Sequence, residues 1–587
     1  MTSYLFPLSS FATLRYTRSI DGQKGGSNTI MPIHNMKSFT FTAPNYDEWK
    51  DTAIQSLKGK PFESLFTKTA EGIELKPLYT KEDLDQQKIS RVTKPAFGWT
   101  VAQPVSATTG EEFIVQLKES LARGNEAVAY NGLHPISWSE QALSQLAEIL
   151  TEYPLLFTEV KKEDPILQAF SFIEDAKRAD VTGICISESK VLPDDLPNVK
   201  TKGADLWTAH HEGADAVTEL ALSLAIAADL AEKASSFEEF AKGFYVRFAS
   251  DTHFFMEIAK FRAFRVLWKL FNEAYGVENA KQVPLLAITS LRSYSKLDPY
   301  VNLLRGGNSA FAAVLGGADW LTVLPHDVLT GTSASSIRYA RNIQLVLKEE
   351  THIDQVLDPA GGSYFIETLT AELISKAWEK FLAIEENGGY QSYLQSGELS
   401  KLHAERQKEL ASGKKTLIGT NVYAELIDTN LAEASSVTVS KRLAEPFENL
   451  RSRTQEQLPK TVLLNFGALK DYKPRADFVS GFLAVGGIDA QWSPSFDTID
   501  QALGWIEEQQ PHYAVICASA AATEEVVTNF LTEYAGDVVL DVAGKYPKEL
   551  SNQWLANGLN GFMFAGQDKI AKLQDIANIT IGGHLVD

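Results

Sequence analysis

The chain has 587 residues, 44% hydrophobic and 22% charged, with a formal net charge of -20. That length exceeds one ordinary core and implies roughly two to three domains, fewer if one is a large barrel, and the composition excludes bulk disorder. Acidic and basic residues are interspersed rather than gathered into tails, so the long-range field opposes phosphate backbones and anionic lipids, which argues against nucleic acid and membrane as partners.

The first 30 residues carry Arg15, Arg18, several serines and no acid before Asp21. They read as a weak transit-like segment, as a poorly ordered extension over residues 1–40, or as the product of an upstream start with Met31 or Met36 as the true beginning. A helical and extended arm is expected over 41–95. From Ala96 to about Glu385 short β-rich runs alternate with helical periodicity, the pattern of repeated βα units around a parallel sheet. The expected strands are Ala127–Tyr130, Leu155–Val160, Gly183–Ser187, Leu206–Ala209, Phe244–Ala249, Leu285–Ser290 and Leu321–Leu324, with one more near Trp99. Eight strands close an α/β barrel over 96–390. Long helices are expected from Gly213 to Ala234 and from Thr252 to Tyr275. The second mixes Phe254, Phe255, Ile258, Phe261, Phe264 and Leu267 with basic residues, and its aromatics are read as core.

From 391 to 457 the sequence is charged and helical, a linker without strands. A second α/β pattern occupies 458–587, with strands at Thr461–Asn465, Ala514–Cys517, Val538–Val542 and Gly561–Phe564, the size and rhythm of a flavodoxin-like domain. The two cysteines, Cys185 and Cys517, lie in apolar strand-like runs, which disfavours a disulfide framework or thiolate metal cluster and fits a reducing cytoplasm. No apolar run approaches the ~18 residues of a membrane span.

Several segments resemble one family in order and spacing: GKPFESLFTKTAEGIELKPLYT from Gly59, EIAKFRAFRVLW from Glu257, DPYVNLLR followed by the run from Ala310 into GGADWLTV, and above all ARNIQLVLKEETHIDQVLDPAGGSYFIETLTAEL from Ala340 to Leu373. Taken alone, DPAGGSYFIE is a turn with a helix starting after Glu367. Together the segments resemble the methylmalonyl-CoA mutase family, over nearly the whole chain from about residue 45. The resemblance is to the small, non-catalytic subunit of the heterodimeric bacterial enzyme.

That resemblance implies a (β/α)8 TIM barrel followed by a flavodoxin-like, cobalamin-binding-type domain. It also implies interconversion of (R)-methylmalonyl-CoA and succinyl-CoA through adenosylcobalamin radicals, with the cofactor carrying the hard chemistry. A coenzyme A ester would need a local basic site within this acidic chain. Catalytic members carry Asp-x-His-x-x-Gly after the first strand of the C-terminal domain, the histidine reaching cobalt and the aspartate fixing its tautomer. At those positions this chain has Lys470, Tyr472 and Arg475. A phenol is mostly protonated at neutral pH and is a poor substitute for imidazole. The family's Ser-x-Leu falls on Ala518 and Ala520 and its later Gly-Gly near Asp541 and Val542, with Ser519 and Gly544 left as possible register-shifted substitutes. In the barrel the family histidine position is Thr208. His210 and His211 follow closely; a deletion would bring His210 into the catalytic position, but the ungapped alignment into Thr218 argues otherwise, and since neighbours on a strand point apart they are read as surface or rim histidines. Of the Arg-Pro-Trp-Thr segment only Trp99 and Thr100 remain, behind Phe97 and Gly98.

The expectation is therefore a chain with no catalytic, metal or intact cofactor-binding residues, partnered in a cytoplasmic heterodimer by a large catalytic subunit that holds adenosylcobalamin, with Trp49 to Tyr79 contributing to the interface. Two alternatives stand beside it. One is a self-sufficient cobalamin-dependent acyl-CoA isomerase, which would bind cobalamin alone. The other is a regulatory subunit that binds acyl-CoA without cobalamin.

Overall fold

The computed structural model describes residues 44–85, 92–133, 136–278, 281–426, 431, 441–454 and 458–579; the extension expected over 1–40 lies outside them. The chain divides into two units, one of residues 1–68 and 74–77 and one of residues 69–73 and 78–587.

In the first unit, α1 (Tyr46–Ser56) starts at Asn45, whose side chain and that of Glu48 cap each other's backbone amides. Trp49 stacks edge-on against Phe62, and Phe62 against Phe66. A two-residue antiparallel pairing, β1 (Thr67–Lys68) with β2 (Glu74–Leu75), completes it.

The second unit is α/β with parallel sheets. Its strands β3 (Thr100–Val101), β4 (Val128–Asn131), β5 (Leu155–Thr158), β6 (Thr182–Ile186), β7 (Asn198–Lys200), β8 (Lys202–Asp205), β9 (Phe244–Ser250), β10 (Leu285–Thr289) and β11 (Trp320–Thr322) form two sheets, in the orders β3-β11-β10-β9-β8 and β4-β5-β6-β7. The sheets meet at both edges. Only Thr201 separates β7 from β8. At the other edge the Glu126 amide donates to Val101 O at 2.8 Å, and Asn125 bonds both backbone groups of Gln103. Ala102, Ala129, Leu156, Ile184, Ile186, Tyr245 and Leu286, drawn from both sheets, form one buried cluster.

The helices that cover these strands are apolar where they face them. α6 (Ala216–Glu232) is capped by the Asp215 side chain and is buried from Ala216 through Ala228, polar Thr218, Glu219 and Ser223 included. α8 (Phe254–Ala274) likewise buries Lys260, Arg262 and Arg265 among its aromatics. α11 (Tyr364–Glu386) follows the Ser363 cap, four residues before the expected start. The motif ahead of it is a clasp: Arg262 pairs with Asp358 at 3.1 Å and with Glu367 at 3.0 Å, and Glu367 also accepts the Gly362 amide.

One expected strand is corrected. Leu206–Ala209 is not extended: β8 stops at Asp205, the Asp205 carboxylate accepts the Trp207 amide, and a short helix α5 (Trp207–Glu212) follows. Among the described residues of 391–454, α12 (Gly389–Gln395), α13 (Glu398–Ala411) and α14 (Glu445–Thr454) are helical, while 412–426 are turns and coil with an isolated bridge between Ile418 and Val422. A third parallel sheet then orders β12 (Thr461–Phe466), β13 (Ala490–Phe496), β14 (Tyr513–Cys517), β15 (Val539–Ala543) and β16 (Gly561–Met563) as β13-β12-β14-β15-β16. Its helices are α15 (Leu469–Val485), α16 (Ile499–Gln509), α17 (Thr523–Glu533), α18 (Lys548–Ala556) and α19 (Lys569–Ala577). Cys185 and Cys517 are buried in β6 and β14. Among the described residues no helix is long and apolar enough to cross a membrane.

Candidate functional site

Two places have the topology of a ligand site. In an open parallel sheet the crevice lies beyond the carboxyl ends of the strands where strand order reverses. Here that point lies between β12 and β14. Gly467, at φ +86°, turns the chain out of β12, and α15 begins at Leu469, so Lys470, Tyr472 and Arg475 all occupy its first two turns. Lys470 is exposed and Tyr472 is buried, its ring 6.4 Å from that of Trp492.

Arg475 reaches across the crevice instead. Its Nη1 donates to Thr523 Oγ1 at 2.5 Å and to the Tyr546 hydroxyl at 2.8 Å. Each acceptor spends its own proton on a backbone carbonyl, Thr523 on Ser519 and Tyr546 on Ala543. The guanidinium also lies 5.9 Å from the Tyr546 ring centroid. Gly544 is left-handed at φ +126°, and a Cβ there would stand 2.7 Å from the Tyr546 oxygen. The segments after β12, β14 and β15 are thus tied by one side chain. Ser519 accepts the Ala522 amide. Burial pushes the Cys517 thiol beneath this cluster up to about 12, against the opposing pull of Arg475. Ala518 and Val542 are buried, while Ala520 is exposed. Asp541 is fully buried, accepting the Tyr513 hydroxyl at 2.6 Å and Asn560 at 3.0 Å while pairing with Lys572.

The second place is where β4, β5, β9, β10 and β11 end. A cavity of about 80 Å³ there is lined by Tyr130, Thr158, Glu159, Trp207, Arg247 and Trp320, among others. Arg247 is its strongest charge: bidentate to Asp205 at 2.7 and 2.5 Å, 3.5 Å from Glu159, and 5.9 Å from the Trp207 ring. Burial opposes the charge of Arg247, and Asp205, Glu159 and Tyr245 together more than offset it. Below the cavity the interior is filled. Tyr245 packs so closely on Gly203 that a Cβ there would lie 2.5 Å from its ring.

Thr208 is exposed on α5 and does not line this cavity. Trp99 is buried and turned to Gln344 at 3.3 Å, beside Lys348, while Phe97 is exposed and Gly98 is in the left-handed region.

His210 and His211 are not rim residues; both are buried on α5. His210 is fully enclosed, Nδ1 at 2.6 Å from Glu219 and Nε2 at 2.7 Å from Ser290 Oγ. Burial first, and Arg292 second, hold its pKa well below the ordinary 6.5, so the neutral ring donates from Nδ1 to the carboxylate and accepts the Ser290 proton at Nε2. Lys260 bridges Glu219 at 2.8 Å and Glu257 at 2.7 Å. Arg292 pairs with Asp251 and binds the carbonyls of His210 and Ala214. A Ser-His-Glu alignment exists, sealed from any substrate. Gly213 closes the helix at φ +129°, where a Cβ would stand 2.3 Å from Leu399 O.

Sequence reasoning missed Arg247, Thr523, Tyr546 and Glu219. A lone charge in each of the apolar runs FYVRFAS and VTELALSLA was the available signal. Among the described residues no group of three His, Cys, Asp or Glu side chains has metal-holding geometry.

Comparison with known proteins bears on this arrangement. The family model for methylmalonyl-CoA mutase matches residues 192–473. A protein of Mycobacterium bovis named as a probable methylmalonyl-CoA mutase small subunit is 36% identical over 343 residues, 55% of each chain. The chain thus spans about half the length of that relative. The methylmalonyl-CoA mutase small subunit of Porphyromonas gingivalis is 27% identical over 573 residues, covering 86% of this chain and 92% of its own. That of Propionibacterium freudenreichii is 31% identical over 408 residues, 65% of this chain and 64% of its own. The chain is similar to the methylmalonyl-CoA mutase family over residues 192–473 and to small-subunit members of that family.

Proposed function

We propose that this chain is the small subunit of a cytoplasmic methylmalonyl-CoA mutase. In this reading it supports a large catalytic subunit that carries adenosylcobalamin and interconverts (R)-methylmalonyl-CoA and succinyl-CoA. Residues 96–390 are a TIM barrel with 41–95 as a preceding arm, 391–457 a linker, and 458–587 a degenerate flavodoxin-like domain. The bonds joining β3 to β4 and the single residue between β7 and β8 support barrel closure; the order β13-β12-β14-β15-β16 supports the second assignment.

The observation that carries the non-catalytic role is Arg475, hydrogen-bonded across the crevice in which a cobalamin tail would lie. The residues there do not fit the cofactor. No imidazole stands at the position of Tyr472, and that phenol is buried against Trp492. The upper site agrees. Thr208 offers no imidazole, and about 80 Å³ falls short of the ~300–1,000 Å³ of ordinary ligand pockets.

The test is to purify the chain alone and with its large subunit, then measure cobalamin absorbance, acyl-CoA binding and mutase activity. The proposal expects activity and cobalamin only with the partner. Stoichiometric cobalamin in the isolated chain would establish the self-sufficient isomerase, and acyl-CoA affinity without cobalamin the regulatory subunit.

A further inference from the structure

Apart from the two places above, α8 packs against α11 around a cluster of buried cations. Arg262 and Arg265 lie on α8 three residues apart, and Lys94 joins them from the segment before β3; all three are at least nine-tenths buried. With Gly317, Thr370 and Ala371 they line a cavity of about 40 Å³, several times the ~10–15 Å³ that one water requires.

The local carboxylates are already engaged. Asp319 accepts Arg265 Nη2 at 3.0 Å and the Leu285 amide at 2.8 Å, Asp358 pairs with Arg262 at 3.1 Å, and Glu367 accepts Arg262 Nη2 at 3.0 Å. Donors remain after these pairings. Arg265 Nε, Arg265 Nη1 and Arg262 Nε are buried with no hydrogen-bond partner among the described residues, and Lys94 spends one of its three protons on Gly98 O at 2.5 Å. Gly317 keeps the space open: at φ +93°, its Cβ would lie 3.7 Å from Arg265 Nε and 4.0 Å from Lys94 Cδ.

The donors left unpartnered at the cavity wall are of one sign, and the nearby unpartnered acceptor, Asp354 Oδ1, is not among the lining residues, so the cavity disfavours a metal cation and selects an acceptor-only ligand. A tetrahedral oxyanion accepts from several directions at once. We propose that this cavity binds a compact oxyanion of the inorganic phosphate class, bridging α8, α11 and the segment before β3. It shares no lining residue with the strand-end cavity and does not rest on the mutase reading. The ligand adds negative charge where burial disfavours the Lys94 ammonium, so it braces the fold rather than reacting.

The test titrates inorganic phosphate into the full chain at fixed ionic strength, followed by melting temperature and by ³¹P line width. Wild type should show a saturable rise in melting temperature and a saturable broadening. Lys94→Met should weaken both by roughly tenfold, as loss of one charge-assisted bond predicts. Arg265→Met also strips Asp319 of its partner and serves only if it folds. Ala371→Leu therefore provides the second arm, filling the cavity from the α11 wall without touching a cation, and should abolish the response. A wild-type response that does not saturate means that the cavity holds water only, and overturns the proposal. So does an unchanged response in both Lys94→Met and Ala371→Leu.

Discussion

Arg475 Nη1 stands 2.8 Å from the Tyr546 hydroxyl, joining the segment after β12 to the segment after β15. Removing the guanidinium takes away that bond and the one to Thr523, at a half-exposed position. Arg475→Ala should cost about 1–2 kcal/mol in urea denaturation, the lower part of the range for hydrogen bonds to charged groups. The same variant should gain no cobalamin absorbance, because no ligand for cobalt appears with the opened space.

His210→Ala should be far more damaging. It leaves Glu219 Oε1 without its donor and the Ser290 hydroxyl proton without its acceptor in a fully buried setting, and opens a cavity. A loss of roughly 3 kcal/mol or more is expected, read as a lowered denaturant midpoint. His210→Gln should lose less, since its amide can donate toward Glu219.

The pH dependence follows from the same ring. The folded-state pKa of His210 lies well below its unfolded value of 6.5, as does that of His211, chiefly through burial. Below about pH 6.5 the unfolded chain takes up protons that the folded chain refuses, so stability falls as pH drops through 6.5 toward the folded pKa. His210→Gln should flatten that slope in urea melts at pH 5 to 7, whereas a structural role without titration would leave the slope unchanged.

In the C-terminal sheet, Asp541 and Lys572 are a buried pair with Tyr513 and Asn560 on the same carboxylate. Lys572→Met leaves a buried carboxylate short of its cation and should cost about 3–5 kcal/mol. The double variant Lys572→Met with Asp541→Asn should recover part of it, giving a coupling energy measurable in a double-mutant cycle.

The interior strands were legible because each is a short apolar run between turn signals. The strands that escaped lie at sheet edges. β7 is three residues, and β13, reading AQWSPSF, contains Pro494 and alternates weakly because its outer side needs no buried partner. The misread strand at Leu206–Ala209 is apolar enough for either state; what decides it is the Asp205 carboxylate, which caps the turn and pairs with Arg247 from a strand 42 residues away. The histidine pair was misplaced for a related reason. Glu219 is nine residues on, but Ser290 is 80 residues away, and no local pattern joins them. Lys470, Tyr472 and Arg475 were legible as substitutions, whereas the partners of Arg475, Thr523 and Tyr546, came only with the fold.

The buried set around His210 links α5, α6, α8 and the segment after β10 through groups that compensate one another in pairs. A change at one member leaves its neighbour charged and dry, so single substitutions are penalised while matched ones are not. Sequence drift in this region is therefore permitted in blocks. A lineage could erase Thr208 or Phe97 one step at a time, both being exposed, yet it would have to exchange His210, Glu219 and Lys260 together.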